Sequence, residues 1–84
     1  MRDNAAQRRF ELDVEGEIVY ADYRREDSRL VIPYVYAPPP LRGKGAADRL
    51  MRHIVEYAKA EKQQIIPLCG YAAAWMRRHQ QEKD

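Results

Sequence analysis

The residues best suited to chemistry form a short glycine-rich segment, Leu-Arg-Gly-Lys-Gly at 41–45, that follows three prolines. An apolar pattern of helical period begins directly after it, at Ala46. The first backbone N–H groups of a helix have no acceptor inside the helix, and the helix dipole makes that end partly positive. Glycines let a phosphate approach such amides closely. The segment therefore predicts an anion site formed by the amides of residues 43–47, with Arg42 and Lys44 as additional cations.

Two known phosphate motifs do not fit this segment. A Walker A loop needs Ser or Thr after its Lys, whereas Gly45 and Ala46 follow Lys44. A dinucleotide fingerprint needs a third glycine where Asp48 stands. The alternative is that Gly43 and Gly45 only form a turn. We favour phosphate binding because prolines, two cations and a helix start coincide here.

The pattern that remains is Arg42-x-x-Gly45-x-Ala47, which resembles the acetyl-CoA signature Gln/Arg-x-x-Gly-x-Gly/Ala of the GNAT acetyltransferase superfamily. The similarity extends over residues 31–79 to a family of very small, single-domain GNAT-like proteins. It includes Pro-Leu-Cys at 67–69 and an alanine-rich segment that ends in Arg-Arg-His. The resemblance implies an abbreviated GNAT fold and N-acetyl transfer with acetyl-CoA as the cofactor.

The resemblance also implies where the cofactor lies. In GNAT-like enzymes a backbone N–H of the strand before the glycine motif holds the thioester carbonyl, and by position that strand is residues 32–37 here. Combined with the amides and cations above, this gives the residues expected to bind acetyl-CoA or CoA: Val35, Ala37, Arg42, Gly43, Lys44, Gly45, Ala46 and Ala47.

Cys69 is the best side-chain candidate for catalysis. It follows an apolar strand pattern and precedes a helix, whose free N–H groups favour a thiolate. The resemblance places the candidate catalytic cysteine of the small GNAT-like family at this position, either to accept the acetyl group or to protonate the leaving thiolate. The alternative is a structural role, because an unpaired cysteine is often a small buried apolar residue.

Tyr34 is the second catalytic candidate, and it departs from the family pattern. Many small GNAT-like sequences carry His at this position, as the base or its helper. A phenol with an ordinary pKa of about 10 is a poor base near neutrality but a workable acid. Tyr36 likewise replaces a residue that is often Glu, and both tyrosines also fit a packing or pocket-lining role.

A metal site is not expected. His53 falls on the polar flank of the long helical pattern, and His79 on the apolar face of the last one. Together with Cys69 they lack the spacing of metal ligands.

The elements that must position these residues follow from periodicity. Strict alternation predicts a strand over 9–14, and a Glu-Gly turn leads to a second strand over 18–23. Polar residues 24–28 predict another turn before a third strand over 30–36. Pro33 cannot donate to a sheet hydrogen bond, so it requires an edge position or a bulge there.

The second half of the chain changes period. An apolar stripe predicts a helix from Ala46 to near Lys62. Residues 64–68 predict a strand added parallel after this crossover helix, and a last helix begins at residue 70 or 71. The expected fold is an α/β (α+β) sandwich in the order β-β-β-α-β-α, with a mostly antiparallel sheet of about four strands and two helices.

Length and composition limit the possible classes. Eighty-four residues predict one domain over 1–84, with 1–7 and 80–84 flexible. No apolar run approaches the ~20 residues of a membrane span, and residues 1–9 lack the apolar part of a secretory signal. A single cysteine fits a reducing compartment, so we expect a cytoplasmic protein that is a monomer or weak homodimer.

Charge is distributed unevenly. Residues 1–41 contain six Lys or Arg and eight Asp or Glu, whereas residues 42–84 contain nine and five. The half with the predicted anion site is thus the positive one, which suits an anionic cofactor.

Three function classes follow. The first is a CoA-dependent N-acetyltransferase whose acceptor is a small amine, a peptide N-terminus or a protein lysine. The second is a CoA-binding module without catalysis. The third and least favoured is a small basic adaptor that binds nucleic acid, because acidic residues interleave with the basic pairs and no RNA-binding motif is present.

Overall fold

A single mixed sheet with two helices packed on one of its faces makes up the computed structural model, which describes residues 1–80. Both helices and one face of the sheet contribute side chains to the same buried cluster. The elements are β1 (Arg2–Asn4), β2 (Arg9–Val14), β3 (Glu17–Glu26), β4 (Arg29–Tyr36), a 3₁₀ turn (Pro39–Leu41), α1 (Ala46–Ala60), β5 (Gln64–Pro67) and α2 (Gly70–Gln80).

The five strands lie in chain order across the sheet. β1 to β4 pair antiparallel, and β5 pairs parallel with β4 after the crossover through α1. Glu15 and Gly16 connect β2 to β3 with φ angles of 55° and 81°, values of a tight turn in which glycine is favoured. The predicted fold class, the two helices and the parallel last strand are therefore confirmed.

The strand count and one boundary differ from the prediction. β1 lies within the segment 1–7 that was expected to be flexible, so the sheet has five strands rather than about four. Its Arg-Asp-Asn sequence has no apolar periodicity that could have indicated a strand. Hydrogen bonds from Arg2 and Asn4 to Glu11 of β2, and not apolar packing, hold this strand against the sheet. β3 also continues through Glu26, where a turn was predicted, because its polar end still pairs with β4.

The predicted C-terminal tail began at residue 80. α2 includes Gln80, and residues 81–84 lie outside the described part of the chain.

The apolar face of α1 packs against the sheet, and Leu50, Met51 and Ile54 are fully buried there. The helix ends at Ala60, two residues earlier than predicted. Lys62 has a φ of 57°, and the amides of Lys62 and Gln63 donate to the carbonyls of Lys59 and Ala58. This is the Schellman arrangement, which usually has glycine where Lys62 stands. The boundary was missed because the usual glycine signal is absent.

The predicted irregularity at Pro33 is confirmed as a β-bulge. Two residues of β4, Ile32 and Pro33, stand opposite Tyr23 of β3, where the register shifts. Ile32 is buried on the helix side, and the alternation then resumes with Val35 on that side.

The face of the sheet away from the helices is here named the open face. Along β3, buried Val19, Ala21 and Tyr23 alternate with Tyr20 and Asp22, which therefore point to the open face. Tyr36 and Tyr34 of β4 are their direct register partners and share that face. Among residues 1–80, neither helix has the length and apolar character needed to cross a membrane.

Candidate active site

The glycine-rich segment forms a tight turn onto α1. Gly43 and Gly45 have φ angles of 80° and 78°, which side chains rarely adopt, and a Cβ at either position would meet nothing within 4 Å. Gly45 is the N-cap residue, and its carbonyl accepts the first helical bond from Arg49. These two positions require glycine for their backbone conformation and leave open space beside it.

Most amides of this turn have no acceptor among the described residues, and the exception is Lys44, whose amide donates to the Leu41 carbonyl at 3.1 Å. Within residues 1–80, no acceptor receives a hydrogen bond from five backbone N–H groups: those of Gly43, Gly45, Ala46, Ala47 and Asp48. No side chain caps the helix start. Successive free amides at a turn and a helix N-terminus form a partly positive concavity suited to an anion.

A cleft of about 450 Å³ adjoins these amides. It brings together seven of the eight residues expected to bind the cofactor, and it adds Leu41, Asp48 and Tyr71. The seven are Val35, Ala37, Arg42, Gly43, Gly45, Ala46 and Ala47.

The eighth expected residue, Lys44, does not line the cleft. Its ammonium lies 3.9 Å from a carboxylate oxygen of Glu15, and both side chains are largely exposed. Arg42 does line it, and its Nε–H donates to the carbonyl of Ala37 at 2.9 Å. Arg42 thus closes the proline loop with one N–H group. Its guanidinium centre lies 5.8 Å from the ring of Tyr36.

β4 and β5 separate beside this cleft. Their pairing ends at Ile32 and Pro67, and the Ile32 carbonyl accepts from the amides of both Leu68 and Cys69. Beyond Ile32, β4 has no strand partner on its β5 side within the described residues. Pro33 and Pro67 lack N–H groups, so neither can extend the ladder. The gap exposes the stretch of β4 expected to hold a thioester.

The comparison with known families decides the assignment. The sequence model of the GCN5-related N-acetyltransferase family matches residues 9–84, nearly the whole chain. The chain belongs to this family. No curated protein gives a significant match. The resemblance stated from the sequence is confirmed, and the abbreviated GNAT fold is consistent with the observed sheet and helices.

Cys69 lies immediately before α2, as predicted. Its sulfur is half-buried and packs against the core cluster, and its carbonyl accepts the amide of Ala73 at 2.9 Å. Cys69 does not line the cleft of the glycine turn. This position fits both the chemical and the structural role, so the catalytic assignment stays a prediction.

Tyr34, the other predicted catalytic residue, lies on the open face and is 47% exposed. Its ring centre is 6.3 Å from that of Tyr20 and 6.5 Å from that of Tyr36. It does not line the cleft, whereas its neighbour Val35 does. Cys69 packs toward the helix side, so the two predicted catalytic side chains do not share one pocket.

Tyr71 is one of the three cleft residues that were not among the expected cofactor-binding residues, and the one whose side chain carries a proton to donate. It belongs to the first turn of α2 and lines the same cleft as the glycine turn. Burial, followed by the nearby charge of Asp48, raises the pKa of its phenol, which keeps the hydroxyl protonated near neutrality. Its position directly after Cys69 and Gly70, at the start of α2, was the sequence feature that could have indicated a role at the site.

Asp48 joins α1 to α2 at the edge of the cleft. One carboxylate oxygen accepts Trp75 Nε1–H at 2.7 Å and the other accepts Arg52 Nε–H at 3.0 Å. The hydrogen bond from Trp75, followed by that from Arg52, lowers the pKa of Asp48. His79 stacks on Trp75 with ring centres 3.7 Å apart. The negative charge of Asp48 is thus compensated by donors instead of opposing an anion in the cleft.

The remaining predictions concern metals. His53 is exposed on α1 and His79 is half-buried against Trp75. Across residues 1–80, no three His, Cys, Asp or Glu side chains are grouped so that they could hold a metal ion.

Proposed function

We propose that the chain is an acetyl-CoA-dependent N-acetyltransferase that moves the acetyl group from CoA to an amine. The observation that carries this proposal is the cleft in which free backbone amides of the glycine turn face the unpaired stretch of β4. The family supports acetyl transfer in general terms.

The cofactor would lie along the cleft in a defined direction. Its diphosphate would accept hydrogen bonds from the free amides of Gly43, Gly45, Ala46 and Ala47, and the remaining N–H groups of Arg42 would add charge-assisted bonds. The Lys44 amide, predicted to belong to this set, is already bonded to the Leu41 carbonyl. Lys44 is exposed and can reach phosphate from the rim. The pantetheine arm would follow Val35 and Ala37 into the gap between β4 and β5.

The chemical step needs little equipment. The nitrogen of a neutral amine attacks the thioester carbonyl carbon, so that a C–N bond forms and the C–S bond breaks. The proton that the nitrogen then loses passes to solvent water, and the CoA thiolate gains a proton. We assign the Tyr71 phenol, which lines the cleft and is protonated near neutrality, as the acid that supplies the proton to the thiolate. A backbone N–H of β4 at the gap would stabilise the carbonyl oxygen as it gains charge.

Cys69 has two roles open in this scheme. It can form a transient acetyl thioester, which an amine then resolves, or serve as a second acid near Tyr71. Mass spectrometry of the protein after mixing with acetyl-CoA separates these roles, because only the first gives a mass increase of one acetyl group that Cys69→Ala removes. Unchanged turnover in Cys69→Ala would leave the cysteine with a packing role.

Calorimetry and thiol release together test the function. We expect saturable acetyl-CoA binding, and release of free CoA thiol that depends on added amine and falls at least ~10-fold in Tyr71→Phe. Absence of acetyl-CoA binding at millimolar concentration would overturn the proposal.

A non-catalytic CoA-binding module is the second candidate. It is favoured by one observation, namely that neither Cys69 nor Tyr34 lines the cleft that would hold the cofactor. Binding of acetyl-CoA without thiol release across a panel of alkyl and aryl amines would favour this module over the enzyme.

A further inference from the structure

Three tyrosines form a cluster on the open face, beside the gap between β4 and β5. Tyr20 and Tyr36 have ring centres 5.2 Å apart, and Tyr34 lies 6.3 Å and 6.5 Å from them. This three-ring cluster, Tyr20, Tyr34 and Tyr36, is not used by the core or by the cofactor cleft. Aromatic faces of this kind attract cations through the negative potential of the ring.

Two of the three rings already hold a cation of the chain itself. The guanidinium of Arg9 lies 4.3 Å from the centre of Tyr20, and that of Arg42 lies 5.8 Å from Tyr36. Within residues 1–80, no Lys or Arg lies over the ring of Tyr34. Tyr34 is also the most exposed of the large apolar or aromatic residues on β4.

A free carboxylate stands beside this ring. Asp22 is the direct register partner of Tyr34 and points to the same face. Its half-buried side chain makes no ion pair or hydrogen bond with any of the described residues. Glu11, the register partner of Tyr20, is fully engaged by Arg2, Asn4 and Arg9. Asp22 is also the register partner of Arg9, but that guanidinium bonds to Glu11, so the Asp22 carboxylate stays available to a ligand.

We propose that Tyr34 and Asp22 bind the alkylammonium group of the acyl acceptor. This inference rests on the proposed function. The ring supplies cation–π attraction and the carboxylate supplies a charge-assisted hydrogen bond. Tyr34 alternates along β4 with Val35, which lines the cofactor cleft, so the two sites lie on the two faces of one strand beside the gap.

The site selects a class of amine. Aliphatic primary amines, such as a lysine side chain or an alkylamine, are cations at neutral pH and would be held. The bound ammonium group must then release one proton to solvent water before its nitrogen can attack the thioester. Arylamines are uncharged there and lack the attraction. An amine that also carries a carboxylate next to the nitrogen would be repelled by Asp22. The acceptors are therefore expected to be alkylamines and lysine side chains, in preference to arylamines and free α-amino acids.

Nuclear magnetic resonance with the protein free of cofactor tests the site directly. We expect n-butylammonium chloride to shift the amide signals of Asp22 and Tyr34 in a saturable way, while n-butanol at equal concentration does not. Asp22→Asn and Tyr34→Leu should each weaken this binding roughly fivefold. Tyr34→Phe, which keeps the ring, should retain it, and Asp13→Asn on the same face is the matched charge control.

The titrations with butylammonium and butanol test the Tyr34–Asp22 site independently of acetyl-CoA binding. Equal shifts with butanol, or unchanged binding in both Asp22→Asn and Tyr34→Leu, would overturn it. Calorimetry of Asp22→Asn with acetyl-CoA keeps this failure separate from failure of the proposed function, because the cofactor cleft does not include Asp22. With acetyl-CoA present, thiol release should favour butylamine over aniline in the wild type, and loss of that preference in Asp22→Asn supports the site.

Discussion

The two ends of the sheet satisfy their polar groups in opposite ways. At the β1–β2 end, Glu11 accepts four hydrogen bonds from three side chains, Arg2, Asn4 and Arg9, at 2.7 to 3.1 Å. At the β4–β5 end, the strands diverge after Ile32, and five amides of the neighbouring glycine turn and helix start have no acceptor among residues 1–80. The first end uses its polar groups to hold a strand in place, and the second keeps them available for a ligand.

The difference separates stability from function within one small sheet. Substitutions at the β1–β2 end should change the free energy of unfolding and leave ligand affinity unchanged. Substitutions at the glycine turn should lower ligand affinity. Their effect on the free energy of unfolding should be no larger than that of a control substitution with the same backbone strain. Measurements of ligand affinity and unfolding free energy in variants of the two ends test that separation.

A negative charge at the glycine turn should have the largest effect. Gly45→Asp places a carboxylate against the proposed diphosphate, so acetyl-CoA affinity should fall roughly 100-fold, equivalent to about 2.7 kcal/mol. Gly16→Asp is the matched control, because Gly16 has nearly the same φ and also has open space around it. Calorimetry measures both affinities. Equal losses in the two variants would show that strain, and not the site, is responsible.

Removal of the Glu11 carboxylate, at the β1–β2 end, should change the free energy of unfolding by nearly as much as Gly45→Asp changes the free energy of acetyl-CoA binding. Glu11→Ala leaves three donors without their acceptor, and we expect the free energy of unfolding to fall by about 2 kcal/mol. Asp13→Ala is exposed on the same strand and serves as the control. Urea denaturation measures the change. A matching loss of acetyl-CoA affinity in Glu11→Ala would break the proposed separation.

The same carboxylate should make stability depend on acidic pH. Hydrogen bonds from Asn4, Arg9 and Arg2 lower the pKa of Glu11 from 4.5 to about 2. Because the pKa is lower in the folded state, the stabilisation is complete above pH 4.5 and is lost as the pH falls from there toward 2.

Urea denaturation at several pH values checks this dependence. The wild type should lose stability more steeply than Glu11→Gln over the same window. Asp48, whose pKa is also lowered, should account for part of the slope that remains in that variant. Parallel curves for the two proteins would contradict the role given to Glu11.

The smallest effect concerns the end of α1, away from both regions. Lys62→Gly relieves the positive φ of an exposed residue and should stabilise the protein by about 1 kcal/mol, whereas Lys62→Ala should not. Thermal denaturation measures both. Acetyl-CoA affinity should stay unchanged in either variant.

Much of this architecture was predictable from local pattern. Alternation fixed the bounds of β2, and the proline in β4 indicated a bulge before any pairing was known. Helical period indicated α1 and α2. The glycine turn indicated Arg42, Gly43, Gly45, Ala46 and Ala47, which line one cleft together with Val35 and Ala37, the two residues expected from the family resemblance. These features depend on neighbours in sequence, which is why the sequence contains them.

The rest depended on contacts between distant residues. β1 has no apolar period and is held by side chains reaching Glu11, so no local pattern indicated it. Tyr71 enters the cleft only because α2 begins where β4 and β5 separate. Tyr34 was grouped with Cys69 by resemblance, but the bulge sets the face on which its ring lies.

An amide-resolved nuclear magnetic resonance titration with acetyl-CoA shows whether the free amides of the glycine turn bind the diphosphate. We expect saturable shifts at the amides of Gly43, Gly45, Ala46 and Ala47, with the signals of β1 and of Glu11 unchanged. Saturable binding that leaves those four amides unaffected, or no binding at all, would contradict this binding mode.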